Sequence, residues 1–571
     1  MKIKTRIIAL ALSLVYVLGL SGCEKSSESA APEAARPQLS AQKPAEAPVE
    51  TLAGGGYFEP VAREETAYQD MKSEPITLED FAPYAQALTD AAASGSREAF
   101  HRACQEAYDM LVSIDTAASL MELQSDMDAG DEALGEAATD QLQVYYDAVD
   151  LYQKTLHEIS AGENASCLGR EFDTWQVELF KAYDEQSSAE SLALTNEETQ
   201  LERQYAVLSA QDEMDYDAAA EVYLQLVDVR NQMAQAEGAA SFADYAYGYY
   251  YSRDYTPADA QAIWKTAKED YAPVLAQYED AVTQAAYESG VDERLDCSEE
   301  NILQSLQYGA ARMSPEINRA CNYLLSNGLY DISYSDDKLY TGYTSYLYSY
   351  DVPFIFNCPY GNFNDFTDLY HEFGHWLAAY YHPSDPLYGV ADFDLSELQS
   401  QGMEMMFLQY YDEIFGSDAP VLRAQVLLNL VYGVVKGAMY DEFQQRVYAE
   451  EHLTKDRLLD IFREVYADYG QQPYDGYEYE WTFVVHNFRQ PMYYISYAVS
   501  AIPALELYAL SLEDPADAMD AYLRVAGMGD EDYYLTDALR EAGLSNTMKA
   551  PIADVIIDEI VQSGAFDVQT K

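Results

Sequence analysis

Positive charge is what this chain has least of. Its 571 residues carry 33 lysines and arginines against 98 aspartates and glutamates, a formal net charge of −65. A surface this acidic excludes nucleic acid and anionic lipid as partners of the folded part. Cysteine is also scarce. Beyond Cys23 there are Cys104, Cys167, Cys297, Cys321 and Cys358, widely spread and with no CxxC pair. That spacing excludes a zinc ribbon and a disulfide scaffold. One or two disulfides stay open for a chain outside the cytoplasm, with no pairing specified. Nor does the body of the chain contain an uninterrupted apolar run of the ~20 residues a membrane span wants. Its longest apolar stretches, 421–438 and 495–512, are broken by Arg423, Lys436, Pro503 and Glu506 and read as core helices. Histidine occurs only seven times, so any clustering of it is informative.

The N-terminus does hold one short apolar run. Lys2, Lys4 and Arg6 precede an uncharged stretch from Ile7 to Leu20, and Leu20-Ser21-Gly22-Cys23 follows. The run has the length of a signal-peptide core. Small residues before a cysteine resemble the bacterial lipobox, so residues 1–22 are expected to be a signal peptide and Cys23 the lipidated mature N-terminus. A plain signal peptide with an incidental cysteine is the alternative. Residues 24–56 are rich in Ala, Pro, Ser, Glu and Gln and end in Gly54-Gly55-Gly56. They cannot bury enough apolar surface to offset ordering entropy and read as a disordered tether. The expected location is therefore the bacterial cell envelope, outside the cytoplasm, with the membrane reached through the lipid anchor only.

The roughly 515 residues that remain exceed one small core and favour two lobes, set here at 57–250 and 251–571. From Ile76 to Ala311 apolar residues recur at three- and four-residue spacing, the mark of helices. Asp215 to Glu237 reads as one of them, and Thr195-Asn196-Glu197-Glu198 as the cap of another. Between Leu329 and Asn357 the period shortens and predicts a few short strands. Pro353, lacking an N–H, places its strand at a sheet edge. The fold class expected is mainly α, with a small β-sheet.

The clearest signal is Tyr370-His371-Glu372-Phe373-Gly374-His375-Trp376. On a helix, ~100° per residue brings His371, Glu372 and His375 to one spot. Two neutral imidazoles suit Zn²⁺, and the glutamate between them suits a base for an activated water. At this chain's own His and Glu usage, HExxH arises by chance about once in a hundred such chains. A third ligand must follow. His382 lies seven residues after His375, and Ala378 stands where a metzincin has glycine, so that class is disfavoured. The carboxylate candidates are Asp385, Asp392, Asp394, Glu397 and Glu404. Glu397 and Glu404 share one helix face two turns apart, so one can ligate while the other steadies an imidazole. Spacing alone leaves the choice open.

With these residues in view, the chain resembles the thimet oligopeptidase and oligoendopeptidase F family of zinc metallopeptidases. The resemblance rests on His371-Glu372-Phe373-Gly374-His375, on Glu397-Leu398-Gln399-Ser400-Gln401 through Glu404, and on the run from Pro353 to Asp365. It extends to Met439–Val447, and more loosely to Arg230–Ala234 and Ser252–Thr256. It implies two helical lobes flanking a deep substrate channel, with the sheet beside the zinc-site helices. It also implies one Zn²⁺ per chain on His371, His375 and Glu397, with Glu404 and Asp365 in supporting positions and Glu372 as general base. His486, Tyr494 and Tyr497 match the family's later helix over the metal, with Tyr493 competing with Tyr494 for that place. The implied reaction is hydrolysis of internal peptide bonds in short peptides, by a monomer that binds no nucleic acid. Two alternatives stand beside it: an open-cleft gluzincin acting on larger proteins, and a retired, lipid-anchored peptide-binding protein.

Overall fold

Helices begin where the sequence supplies caps. The computed structural model describes residues 51–568, apart from 53–55, 60, 64, 184, 210, 212, 390 and 549–552. The expected signal peptide, Cys23 and nearly all of the tether lie outside the described residues. Thr77 and Asp80 form a reciprocal capping box at the start of α1 (Leu78–Ser94), which Gly95 ends at φ 69°. Ser96 caps α2 (Arg97–Met127) and Asp131 caps α3 (Glu132–Ala161). The predicted helix near 215–237 is Tyr216–Ala236 with Asp215 as its cap. Thr195 caps nothing; it lies inside the helix Glu185–Ser209.

Two apolar cores result. Phe81, Leu88, Leu111, Ile114, Leu156 and Phe180 belong to a smaller one built mainly by α1–α3. The larger core takes in most of the rest of the chain, and Leu120 and Leu123 at the far end of α2 already belong to it. One long helix therefore stitches the two together.

The tyrosines have a physical role here. Cations are few, and phenols take their place beside buried and half-buried carboxylates. Tyr247 donates to Asp441 at 2.8 Å, Tyr255 to Asp394 at 2.6 Å and Tyr343 to Asp126 at 2.7 Å. A phenol satisfies a buried acceptor while its ring adds apolar area to the core.

The sheet has three strands, β1 (Tyr330–Asp331), β2 (Gly342–Leu347) and β3 (Val352–Asn357), in the order β1-β3-β2. The strand with Pro353 is therefore central, not at the edge as expected. β2 pairs along all of β3, whereas β1 covers only Ile355 and Phe356. Pro353 lies beyond that short partner, so its missing N–H breaks no ladder bond, and its carbonyl accepts from Trp376 Nε1 at 2.8 Å. The edges are β2 and the two-residue β1.

Behind the sheet stands α4 (Asn364–Tyr381), which packs on α5 (Phe393–Phe407). Next come α6 (Ala419–Tyr448), α7 (Ile495–Glu513) and α8 (Pro515–Ala526). A β-carbon on Gly374 would meet the Ser400 Cα at 2.5 Å, so glycine is what lets α4 and α5 cross this closely. Gly437 does the same for α6 against the Tyr494 carbonyl, 2.7 Å from where its β-carbon would lie. The helical stretches Phe393–Tyr448 and Ile495–Glu513 contain windows with the length and composition of membrane spans, but these are 78% and 83% buried within the protein. Cys104, Cys167, Cys321 and Cys358 are buried free thiols.

Candidate metal centre

α4 carries both motif histidines on its buried face, and their Nε2 atoms converge to 3.2 Å. Each ring is aimed from behind. His371 Nδ1 bonds Glu404 Oε1 at 2.8 Å, and His375 Nδ1 bonds Ser396 Oγ at 3.0 Å. A bond at Nδ1 fixes ring orientation and leaves Nε2 as the ligating atom. Glu397 comes in from α5 with Oε2 3.6 Å from His371 Nε2. Its other oxygen accepts from the Tyr493 hydroxyl at 2.7 Å. His371, His375 and Glu397 are the group among the described residues that could hold a metal ion.

The other carboxylates are spoken for. Asp385 accepts from the backbone of Leu387 and Tyr388, and Asp392 caps α5 through Leu395 N and also takes Leu535 N. Asp394 pairs with Arg253. Of these candidates, the structure sets Glu397 beside both histidines and Glu404 behind His371. Asp365, expected in a supporting place, does something else: its two oxygens take the backbone N–H groups of Tyr360 and Gly361, organising the loop that enters α4.

These residues fit a divalent cation. Glu397 Oε2 is buried and has no hydrogen-bond partner, an arrangement that costs several kcal/mol unless something cationic meets it. Burial works to lower the His371 pKa, yet the Glu404 hydrogen bond and the charges of Glu404, Glu397 and Glu372 raise it to about 10. Burial and the neighbouring His371 charge hold His375 well below its usual value. The carboxylates therefore draw positive charge to this point. Two imidazole nitrogens and one carboxylate oxygen form a donor set that suits Zn²⁺ and leaves a position for water or substrate. His371 keeps 17% of its side chain exposed, so the site is reachable from solvent.

Glu372 is buried beside the histidines, and burial pushes its carboxyl up to about 7. The Thr344 hydroxyl of β2 donates to its Oε2 at 2.8 Å. An edge strand of the sheet thus touches Glu372.

The far wall is the segment around His486. Burial lowers the His486 pKa to about 4, so its ring is neutral at pH 7, and its Nε2 lies 3.3 Å from the Tyr497 hydroxyl. Tyr494 packs edge-on against both His486 and Tyr497. The tyrosines that feel the charge of Glu397 are Tyr493 and Tyr497, whereas the acidic neighbour of Tyr494 is Glu480. Tyr493, not Tyr494, is the one bonded to the metal-site glutamate.

Sequence reasoning missed Ser396, Thr344 and Asp368. Asp368 lies one turn before His371, and burial, with Asp365 and Glu404 nearby, pushes it up to about 8. Its i, i+3 spacing to His371 was the available signal. Nothing local pointed to Thr344.

No protein-family model matches the chain. Oligopeptidase PepF of Bacillus subtilis is 25% identical to it over 258 residues, covering 43% of this chain and 38% of that protein. An oligoendopeptidase F homolog of Borreliella burgdorferi is 23% identical over 273 residues, covering 45% of each. The matches thus span less than half the length of these curated relatives. An oligoendopeptidase F crystal structure superposes with a TM-score of 0.71 at 20% identity, covering 88% of this chain and 99% of the other. In sequence this chain is similar to oligopeptidase PepF and oligoendopeptidase F proteins, and its fold is that of the oligoendopeptidase F structure.

Proposed function

We propose that the protein is a zinc-dependent oligoendopeptidase, cutting internal bonds of short peptides outside the cytoplasm, where a lipid at Cys23 holds it to the membrane. The observation that carries the reading is the meeting of His371 Nε2, His375 Nε2 and the unpartnered Glu397 Oε2 next to Glu372. Zinc, when bound, would acidify a water to a pKa of ~7 and polarise the scissile carbonyl.

The remaining steps belong to the chain's own side chains. Thr344 holds Glu372 by Oε2, which leaves Oε1 to take a proton from the attacking water and pass it to the leaving amine. A pKa near 7 suits a group that must both accept and return a proton. Tyr497 keeps its proton at neutral pH, because burial and the charge of Glu397 raise its pKa well above 10. With His486 Nε2–H donating to the phenolic oxygen, the Tyr497 proton is free for the oxyanion of the tetrahedral intermediate. A peptide laid along β2 would bring its carbonyl to this point, since Thr344 lies on that edge strand.

The test uses the soluble protein from residue 57, quenched short peptides and intact casein, with chelator and then with zinc restored. Chelator-sensitive cleavage of the short peptides alone is the expected result. Cleavage of casein at comparable rates would favour the open-cleft alternative. Tight peptide binding without cleavage in the zinc-loaded protein would favour the binding-protein alternative.

A further inference from the structure

Arg253 lies far from the motif in sequence, on the connection after the helix Phe242–Tyr249. Its side chain is fully buried and makes contacts in two directions. Toward α5, Nε pairs with Asp394 Oδ2 at 3.1 Å. Toward the turn before α7, Nη1 donates to the Met492 carbonyl at 2.9 Å, and Nη2 donates to Ser496 Oγ at 2.8 Å and the Tyr493 carbonyl at 3.4 Å. The rings of Tyr247 and Tyr251 sandwich the guanidinium, with centroids 4.4 and 4.5 Å from Cζ. Tyr255 donates to the same Asp394 oxygen at 2.6 Å.

Both ends of this bridge lead to the metal site. Asp394 is one helical turn before Glu397, on the same face of α5. Tyr493 is the residue whose hydroxyl holds Glu397 Oε1. Between them the turn passes through Met492 at φ 66°, a conformation that costs a non-glycine residue about 1–3 kcal/mol and persists only when its surroundings hold it. The Met492 N–H is held by Gln444 and its carbonyl by Arg253.

We propose that Arg253 is a positioning residue for the metal ligand Glu397: its guanidinium locks the turn carrying Tyr493 onto α5, so that Tyr493 occupies one carboxylate oxygen and the other is presented to the histidines. The planar fork is what the task requires. It serves acceptors on two sides at once, which a single ammonium of equal charge cannot do.

The inference rests on the metal reading, and its test is read in zinc affinity rather than turnover. Zn²⁺ is titrated against a chromophoric chelator in wild type, Arg253→Lys, Tyr493→Phe and the double variant, with thermal melts to confirm folding. Each single variant is expected to weaken zinc binding by about 10-fold or more, the scale of lost supporting bonds at metal sites. The double variant is expected to be no weaker than the poorer single, because both break one chain of contacts. A lowered melting temperature with zinc affinity unchanged in Arg253→Lys, or losses that multiply in the double variant, would overturn the proposal. Should Arg253→Lys not fold, Ser496→Ala removes one guanidinium acceptor without altering charge and takes its place in the cycle, with the same two outcomes. Wild type that binds no zinc would sink the metal reading itself, a result distinct from the variants' failure.

Discussion

The two walls of the site are held by different kinds of contact. On one wall, His371, His375, Glu397 and Glu404 project from two helices crossing at Gly374, and both histidines are aimed by partners on that same pair of helices. On the other wall, His486, Tyr493 and Tyr497 sit on or near a short irregular turn pinned from far away in sequence. Arg230 donates to the Asn487 and Phe488 carbonyls, Tyr251 to the Pro491 carbonyl, and Arg253 to those of Met492 and Tyr493. The helical wall needs only its own periodicity to aim its side chains. The turn wall has no such frame, and buried arginines supply the rigidity that preorganised hydrogen-bond donors require.

That contrast predicts where changes will be felt. The largest effect should come from the helical wall: Glu397→Ala removes the proposed third ligand, and zinc affinity measured by chelator competition is expected to fall more than about 100-fold, beyond the loss typical of a supporting group. On the turn wall, Tyr497→Phe should keep zinc yet lower kcat about 100-fold, the cost of one oxyanion donor. Tyr494→Phe should stay close to wild type, and equal losses in the two variants would mean that the tyrosines are wrongly assigned. Ser396→Ala is a smaller perturbation of the helical wall. It frees His375 Nδ1 and should weaken zinc about 10-fold while kcat of the zinc-saturated enzyme holds.

The smallest effect lies outside both walls. Asp115 on α2 is buried, its Oδ2 has no partner, and burial pushes its carboxyl up to about 7. In the unfolded chain it would titrate near 3.9, so folding takes up a proton between these values. Stability therefore falls as pH rises through that window, and the full cost is in place above pH 7. Asp115→Asn should raise stability in urea by about 1–3 kcal/mol at pH 8 and do little at pH 4. A gain that is the same at both pH values would contradict this.

The same contrast explains what could be read in the sequence. His371, Glu372 and His375 are legible because four residues of helix suffice to bring them together, and Glu397 and Glu404 were narrowed to one face by the same arithmetic. Setting Asp394 aside in favour of Glu397 needed its pairing with Arg253, 141 residues away. Pro353 was read correctly as a residue that cannot complete a ladder. The error was in the neighbours, since a two-residue β1 leaves space beside it even in the central strand. Tyr493 and Tyr494 could not be told apart because α7 begins only at Ile495 and the turn before it passes through positive φ at Met492. Helical spacing cannot be projected back through such a turn. Thr344 was out of reach for a related reason: only the sheet register sets it against Glu372.

The most direct test of the account is Glu372→Gln. The change keeps the size of the side chain and leaves His371, His375 and Glu397 in place. Metal content and cleavage of a quenched short peptide should be measured on the same zinc-loaded sample. The account predicts one zinc per chain and a kcat lower by about 10²–10⁴-fold, the range a general base contributes. Near-normal turnover at full zinc occupancy would contradict it, and with it the assignment of Glu372 as the group that moves the proton.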